Sequence, residues 1–237
     1  MTKAQAEKGN AQAQLALGVL YASGTGVSRD LAKAAKWHRK AAEQGLAQAQ
    51  FALARDYADG LGVKPDKTMA FKWYGRAAAQ GLPEAQFDLG RCYGRGEGVD
   101  EDAVEAVKWY QRAADQNLVE AVGEVGQCFL EGTGVAANIV EGVKWIRRAA
   151  EMGYAPAQNR LGLCYLKGEG VSKDFVQAYK WFDLGAGQGG PLAADIKVNL
   201  VKAQSHLTPE QITQAQQLAL EFKPHVQEAP VPKEKRQ

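Results

Sequence analysis

The sequence predicts an all-α fold, a right-handed α-solenoid of stacked helix hairpins with five full 36-residue repeats and a C-terminal capping hairpin. Three observations predict this fold. A glycine pair recurs at a constant interval, apolar side chains follow helical spacing, and the five tryptophans lie 36 residues apart. The tryptophans are Trp37, Trp73, Trp109, Trp145 and Trp181.

The first helix of each repeat is identified by apolar residues four positions apart. In the repeat at 45–80, Ala49, Leu53 and Tyr57 follow this spacing, which places them on one face of a helix. The segment then reaches the sequence GLGV, whose two glycines favour a tight connection. The same glycine pair follows every predicted first helix, so each of these segments is expected to end in a similar loop.

The second helix of each repeat begins at a polar residue that suits a helix N-cap. Asp66 has this position in repeat two, and its side chain can accept a hydrogen bond from a free backbone N–H. The equivalent residues are Asp30, Asp102, Asn138 and Asp174. The helix carries Trp73, ends at Gln80 and is terminated by Gly81. A single hairpin cannot bury its apolar face, so neighbouring hairpins are expected to stack.

The predicted repeats span 9–44, 45–80, 81–116, 117–152 and 153–188, in one solenoid domain at 1–223. Residues 3–8 align with the end of a second helix, so the chain is expected to begin in mid-repeat, either because a preceding segment has been removed or because this fragment caps the first hairpin. The segment 189–223 is expected to be a polar capping hairpin. Its second helix begins with a capping box formed by Thr208 and Gln211 and runs to Phe222. The tail at 224–237 is proline-rich and charged, which predicts disorder.

Composition excludes several classes of protein. The chain has 237 residues, 46% of them apolar, and a formal net charge of +2, which disfavours a strongly nucleic-acid-binding or disordered chain. No apolar run is long enough for a transmembrane helix, and no apolar leader is present. Together with three cysteines expected to be unpaired, this favours a cytoplasmic location. A periplasmic or secreted location is the alternative if an N-terminal segment has been removed.

No residue pattern indicates a catalytic, cofactor or metal site. Cys92, Cys128 and Cys164 share one helical position and are too far apart for disulfides if neighbouring helices lie about 8–10 Å apart, so they are expected to pack as a ladder. The glycine pairs follow helices rather than strands, unlike nucleotide-binding loops. His38 is interpreted as a partly buried packing residue. Acidic residues such as Asp56, Asp59 and Asp88 are interpreted as a solvated helix face.

The recurring pattern A…LG..Y..G.GV..D…A..W…AA..G resembles the Sel-one-like repeat (SLR) family, the long-loop branch of the tetratricopeptide-type solenoids. The resemblance covers residues 9–188 and extends to an atypical sixth unit. It implies a non-catalytic scaffold or adaptor, of the bacterial type, that binds a protein or peptide partner. Bacterial members of the family act in host contact, envelope assembly, signalling and immunity to secreted effectors.

By analogy with tetratricopeptide arrays, the first helices are expected to line a concave groove that holds the partner. Their non-packing positions differ from repeat to repeat, and repeats two and three combine aromatic side chains with arginines, both of which are enriched at binding hot spots. The predicted partner-binding residues are Phe51, Phe87, Arg55, Arg91, Arg95 and Asp59. The alternative is that the two phenylalanines only thicken the hairpin core.

Two other functions are kept as alternatives. Some cysteine-rich relatives are associated with penicillin binding and weak β-lactam hydrolysis, but this chain lacks their paired cysteines. The second helices also carry pairs of cations that stacking would align into a convex basic stripe able to bind nucleic acid or an anionic surface. The pairs are Lys36/Lys40, Lys72/Arg76, Lys108/Arg112 and Lys144/Arg148. Glu105 and Glu141 are expected to form ion pairs with Lys108 and Lys144.

Overall fold

The computed structural model describes residues 3–224, and this part of the chain forms thirteen α-helices and no strand. The helices are α1 (Lys3–Glu7), α2 (Ala11–Ser23), α3 (Leu31–Glu43), α4 (Ala47–Asp59), α5 (Lys67–Ala79), α6 (Pro83–Arg95), α7 (Ala103–Asp115), α8 (Val119–Glu131), α9 (Ile139–Glu151), α10 (Ala155–Lys167), α11 (Phe175–Gly187), α12 (Ala193–Gln204) and α13 (Pro209–Leu220). The predicted tail, apart from Pro224, lies outside the described residues.

The helices belong to two compact units, the first ending at Ala113 and the second beginning at Ala114. In the first unit α1 packs on α2, the hairpins are α2–α3 and α4–α5, and α3 contacts α4 as α5 contacts α6. In the second unit the hairpins α8–α9 and α10–α11 meet through α9 and α10, and both α12 and α13 pack on α11. Each unit is therefore a stack of helix hairpins, as the sequence predicts.

The predicted N-caps are all confirmed. The Asp66 carboxylate accepts a hydrogen bond from the Met69 backbone N–H at 2.9 Å, and the other four cap residues accept equivalent bonds. The backbone N–H of each cap residue also donates to the carbonyl of an aromatic residue in the preceding helix, as Asp66 does to Tyr57 at 2.9 Å. Each cap thus starts one helix and fixes its connection to the previous one.

Glycines on the first helices receive bulky side chains from the second helices of the same hairpins. A Cβ added to Gly18 would lie 2.4 Å from the His38 ring, and one added to Gly162 would lie 2.6 Å from the Phe182 ring. Gly90 and Gly126 meet Tyr110 and Ile146 in the same way. At these four positions a side chain larger than hydrogen would overlap the neighbouring helix, whereas repeat two accommodates the methyl group of Ala54 at the equivalent position.

The second loop glycines of repeats two and three have a role that the local sequence does not reveal. Gly62 has a φ of +73°, and an added Cβ would lie 2.1 Å from the carbonyl oxygen of Leu31, at the start of the preceding second helix. Gly98 approaches the Lys67 carbonyl equally closely. Gly26, in the first loop, has the same φ but no atom within 4 Å. The loops of repeats two and three therefore pack against the preceding hairpins.

Buried glutamines bridge successive repeats. The Gln50 side-chain amide donates to the Ala42 carbonyl at 3.3 Å, while its oxygen accepts a 2.7 Å bond from the Gln80 amide. Gln158 forms the same pair of bonds with Ala150 and Gln188. Buried polar groups require such partners, because an unpaired one costs about 1–3 kcal/mol. Gln50 and Gln158 therefore each add a polar link between the end of one hairpin and the first helix of the next.

The capping hairpin differs from its predicted form in two respects. The capping box of Thr208 and Gln211 is present, but α13 ends at Leu220, and Phe222 instead packs edge-on against the Trp181 ring at 5.4 Å. The outer surface is not uniformly polar either. Val198, Val201 and Leu220 are 56%, 62% and 82% exposed.

Substituting the two equivalent loop glycines should separate backbone strain from packing between hairpins. Gly26→Ala should lower the free energy of unfolding by about 1–2 kcal/mol, the cost of a Cβ in left-handed backbone. Gly62→Ala should lower it by roughly 1–3 kcal/mol more, because its Cβ overlaps the Leu31 carbonyl. Urea denaturation followed by circular dichroism measures both changes. Equal losses for the two variants would contradict the packing role.

Candidate functional site

The predicted binding residues lie on one face of each of two neighbouring first helices. Helix α4 carries Phe51, Arg55 and Asp59 at intervals of four residues, and α6 carries Phe87, Arg91 and Arg95 at the same interval. Both helices pack against α5 within the first compact unit. Arg55, Asp59 and Arg95 are exposed, and the other three residues are half-buried. We refer to these six residues as the first-helix surface.

Each phenylalanine of this surface contacts a buried tyrosine of the second helix in its own hairpin. The ring centroids of Phe51 and Tyr74 lie 5.8 Å apart, and those of Phe87 and Tyr110 lie 5.6 Å apart. These are favourable separations for tilted aromatic rings. The phenylalanines therefore contribute to the hairpin core on one side and retain exposed area on the other.

A cavity of about 250 Å³ opens between α4, α5 and α6, beside the first-helix surface. Two of the predicted residues, Asp59 and Arg91, line it. The remaining wall consists of Ala58, Lys67, Ala70, Tyr74, Asp88, Cys92 and Glu97. The structure thus joins part of the predicted surface to a concave site whose walls carry carboxylates, cations and a phenol.

The charges in the cavity are only partly paired. Arg91 Nη1 donates to Asp88 Oδ1 at 3.1 Å, and Lys67 Nζ lies 3.5 Å from Glu97 Oε1. Asp59 forms no ion pair with any described residue. Burial raises the pKa of the Asp88 carboxyl, although the nearby Arg91 acts in the opposite direction. Removing Asp88 from water therefore disfavours its charge more than Arg91 compensates for.

Tyr74 is the most deeply buried polar side chain of the cavity. It is 6% exposed, and its hydroxyl has no hydrogen-bond partner within the described part of the chain. Burial raises the pKa of the phenol, and the neighbouring Asp88 and Asp59 charges raise it further. The hydroxyl is therefore neutral, and it borders the same cavity as both carboxylates, where it can donate or accept a hydrogen bond.

Sequence reasoning missed Tyr74, Lys67 and Glu97 as members of the site, and interpreted Asp88 as part of a solvated face. The Asp88 side chain is only 19% exposed, so that interpretation is wrong for this residue. Asp59 is exposed, as expected. Tyr74 belongs to a series of bulky packing residues, and nothing in its 36-residue pattern distinguishes a ring that borders a cavity from one that fills the core.

Asp56 is also buried rather than solvated, and it pairs with His38. Both residues are 5% exposed, and His38 Nδ1 lies 2.8 Å from Asp56 Oδ2. The other ring nitrogen, Nε2, is buried without a partner among residues 3–224, next to the backbone of Gly18. Both residues are buried and the free ring nitrogen is enclosed, so the position of the pair suits packing and orientation rather than proton transfer to a substrate.

The cations of the second helices are held by neighbouring side chains. Lys40, Arg76, Arg112 and Arg148 each lie over the tryptophan of their own helix, with distances to the ring centroid of 4.5, 4.2, 4.2 and 5.3 Å. The predicted ion pairs are confirmed, with Lys108–Glu105 at 2.6 Å and Lys144–Glu141 at 3.1 Å. Cation–π stacking covers the apolar rings, which gives these repeated charges a structural role.

The three cysteines are free and buried. Burial raises the pKa of Cys92 to about 12 and that of Cys128 to about 11, and it also raises the pKa of Cys164. Among residues 3–224, no group of three or more His, Cys, Asp or Glu side chains is arranged to hold a metal ion. In the same part of the chain, no helix has the length and apolar character needed to cross a membrane.

Comparison with known proteins identifies the repeats. The protein-family model described as Sel1 repeat matches residues 11–46, 47–82, 83–118, 119–154 and 155–190. These five segments have the period predicted from the tryptophans, with boundaries two residues later. No curated protein sequence matches the chain significantly.

Solved structures show the same fold. A protective antigen of uropathogenic Escherichia coli with an SLR fold is 35% identical and superposes with a TM-score of 0.85, over 92% of this chain and 46% of the antigen. The chain thus spans about half the length of that protein. A Sel1 repeat protein from Oxalobacter formigenes is 32% identical, with a TM-score of 0.80 over 92% of this chain and 88% of that one. An immunity protein from Pseudomonas aeruginosa, 21% identical over 90% of this chain and 81% of its own, has a TM-score of 0.53 and shows the fold alone.

A double-mutant cycle should reveal the coupling between His38 and Asp56. Asp56→Cys or His38→Phe alone leaves a buried polar group without its partner and should lower the free energy of unfolding by roughly 3 kcal/mol. The double variant recreates the ring and thiol that Tyr74 and Cys92 supply one repeat later, so it should lose much less than the sum. Urea denaturation of the wild type, the two single variants and the double variant measures this coupling. If the losses in free energy of unfolding are additive, the two residues are not coupled.

The thiols should react slowly in the folded protein. With its pKa raised to about 11, Cys128 should hold roughly a hundredfold less thiolate at pH 8 than a free cysteine, and Cys92, with a pKa of about 12, roughly a thousandfold less. Ellman's reagent should therefore label native protein slowly and label all three cysteines at once in denaturant. Rapid labelling of the native protein would show that a thiol is accessible and activated.

Proposed function

Because the chain belongs to the Sel1 repeat family, we propose that it is a non-catalytic scaffold that binds a protein or peptide at the first-helix surface of repeats two and three. Sel1 repeat proteins commonly serve as scaffolds for protein interactions. The observation that carries the proposal is the cavity between α4, α5 and α6, which lies at two of the six residues predicted to contact a partner. A surface that combines exposed aromatic area with a polar recess suits an extended peptide segment.

The phenylalanines act as apolar anchors in this proposal. Phe51 and Phe87 occupy equivalent positions in adjacent repeats, and each packs against a buried tyrosine ring. A supported aromatic side chain loses little conformational freedom on binding, which favours its use as a binding hot spot. The two rings would therefore contact apolar side chains spaced along the partner.

The charged residues set the polarity of the partner. Arg55 and Arg95 are exposed and form no ion pair with any described residue, so both would contact carboxylates. Arg91 uses one of its N–H groups for Asp88 and retains others for a partner. The convex basic stripe is a weaker candidate, because four of its cations already stack on tryptophans.

Selection from a phage-displayed library of random peptides tests the proposal. We expect peptides to enrich on the immobilised protein and Phe51→Ala/Phe87→Ala to weaken the enriched peptides by about tenfold or more, as loss of hot-spot side chains does. Phe71→Ala is the matched control, since Phe71 is also half-buried against a tyrosine, Tyr93, but lies on a second helix.

Circular dichroism and thermal melting establish that all variants are folded before binding is compared. If no peptide enriches above the uncoated support, the proposed function is wrong. Equal binding by the wild type and the folded double variant would exclude the first-helix surface as its location.

A further inference from the structure

We propose that the cavity between α4, α5 and α6 is a pocket for a basic side chain of the partner, a lysine ammonium or an arginine guanidinium held by Asp59, Asp88 and Tyr74. This inference rests on the proposed peptide-binding function and specifies the chemistry of its partner. The partner would thus place a positive charge in the pocket and negative charges at Arg55 and Arg95.

The carboxylates of the pocket have unused capacity to accept hydrogen bonds. Asp59 has no ion-pair partner among the described residues, and Asp88 uses one oxygen for Arg91 Nη1. An ionised carboxylate offers about four acceptor positions on its two oxygens. Arg55 is near enough to influence the charge of Asp88, but it forms no ion pair with any described residue. A further cation between Asp59 and Asp88 would satisfy acceptors that the protein itself leaves open.

The Tyr74 hydroxyl is an independent observation that the pocket is built for a polar group. A phenol that is 94% buried normally finds a hydrogen-bond partner, and this one borders the cavity without one. Asp88, Cys92 and Asp59 line the same cavity as Tyr74. Held neutral, the hydroxyl can accept a hydrogen bond from an ammonium or guanidinium N–H.

The size of the cavity restricts its occupant. Its volume of about 250 Å³ is several times the roughly 30 Å³ share of one water molecule. It lies below the range of roughly 300–1,000 Å³ that is typical of pockets for drug-sized ligands. A single long side chain fits between these limits. Ala58, Ala70 and Cys92 provide apolar wall for its methylene groups, while the carboxylates and the phenol face its charged end.

Titration with Nα-acetyl-lysine methylamide, followed by two-dimensional amide NMR of the full chain, tests the pocket directly. We expect saturable shifts at Ala58, Ala70 and Cys92 with millimolar affinity, and no such shifts with the uncharged norleucine analogue. Asp59→Asn should weaken binding about tenfold, in line with loss of one charge-assisted hydrogen bond. Its fold should be unaffected, because Asp59 is exposed and has no ion-pair partner among the described residues.

Two further variants complete the design. Tyr74→Phe removes only the hydroxyl and should weaken lysine binding, whereas Glu43→Gln/Asp115→Asn removes two exposed charges that do not line the cavity and should leave binding unchanged. Equal shifts with the norleucine and lysine compounds would overturn the proposal, as would undiminished binding by Asp59→Asn and Tyr74→Phe. If library peptides enrich without a lysine or arginine requirement, the pocket chemistry fails while peptide binding stands. If the lysine compound binds and no peptide enriches, the failure lies with the proposed scaffold function.

Discussion

The close approach of two helices at a small residue is the contact on which the hairpins depend, and that residue is a glycine in every full repeat except the second, which has Ala54. Gly18, Gly90, Gly126 and Gly162 bring a first-helix backbone against a bulky side chain of its partner helix. A Cβ at any of these positions would overlap that side chain, so the distance between the two helices and the packing of the side chain depend on each other. The small residues that recur every 36 positions are thus required for close packing of the two helices within a hairpin.

The His38–Asp56 pair shows how the array tolerates polar residues inside this packing. His38 takes the position that aromatic or aliphatic residues hold in later repeats, and Asp56 takes the position of Cys92. Either residue alone would leave a buried polar group without its partner, whereas together His38 Nδ1 and Asp56 Oδ2 form a hydrogen bond. The glutamines follow the same rule, since the Gln50 oxygen accepts from the Gln80 amide while the Gln50 amide donates to the Ala42 carbonyl of the preceding hairpin. Variation among the repeats is therefore coupled between hairpins.

The charged side chains also acquire their roles from stacking. Arg76 and Arg112 cover tryptophan rings that would otherwise face water, so the regular cations of the second helices are tied to the regular tryptophans beneath them. The first helices of repeats two and three have no such regular pairing of charged and aromatic side chains. There Asp59, Asp88 and Arg91 meet around a cavity in which donors and acceptors are unevenly matched. This irregularity among equivalent positions is the reason for proposing that the partner binds there.

The sequence by itself determined the five repeats, the helix caps and the hairpin fold, because local hydrogen bonds and helical periodicity depend on residues close together in the chain. It also identified Asp59 and Arg91 as residues of a binding surface, a role that stays a prediction. Only the tertiary structure revealed the cavity, the burial of Tyr74 and Asp88, and the His38–Asp56 pair, because these arise where side chains from successive helices meet. Gly62 shows both kinds of constraint. Its positive φ follows from the local turn, but its close approach to the Leu31 carbonyl exists only once the hairpins have stacked.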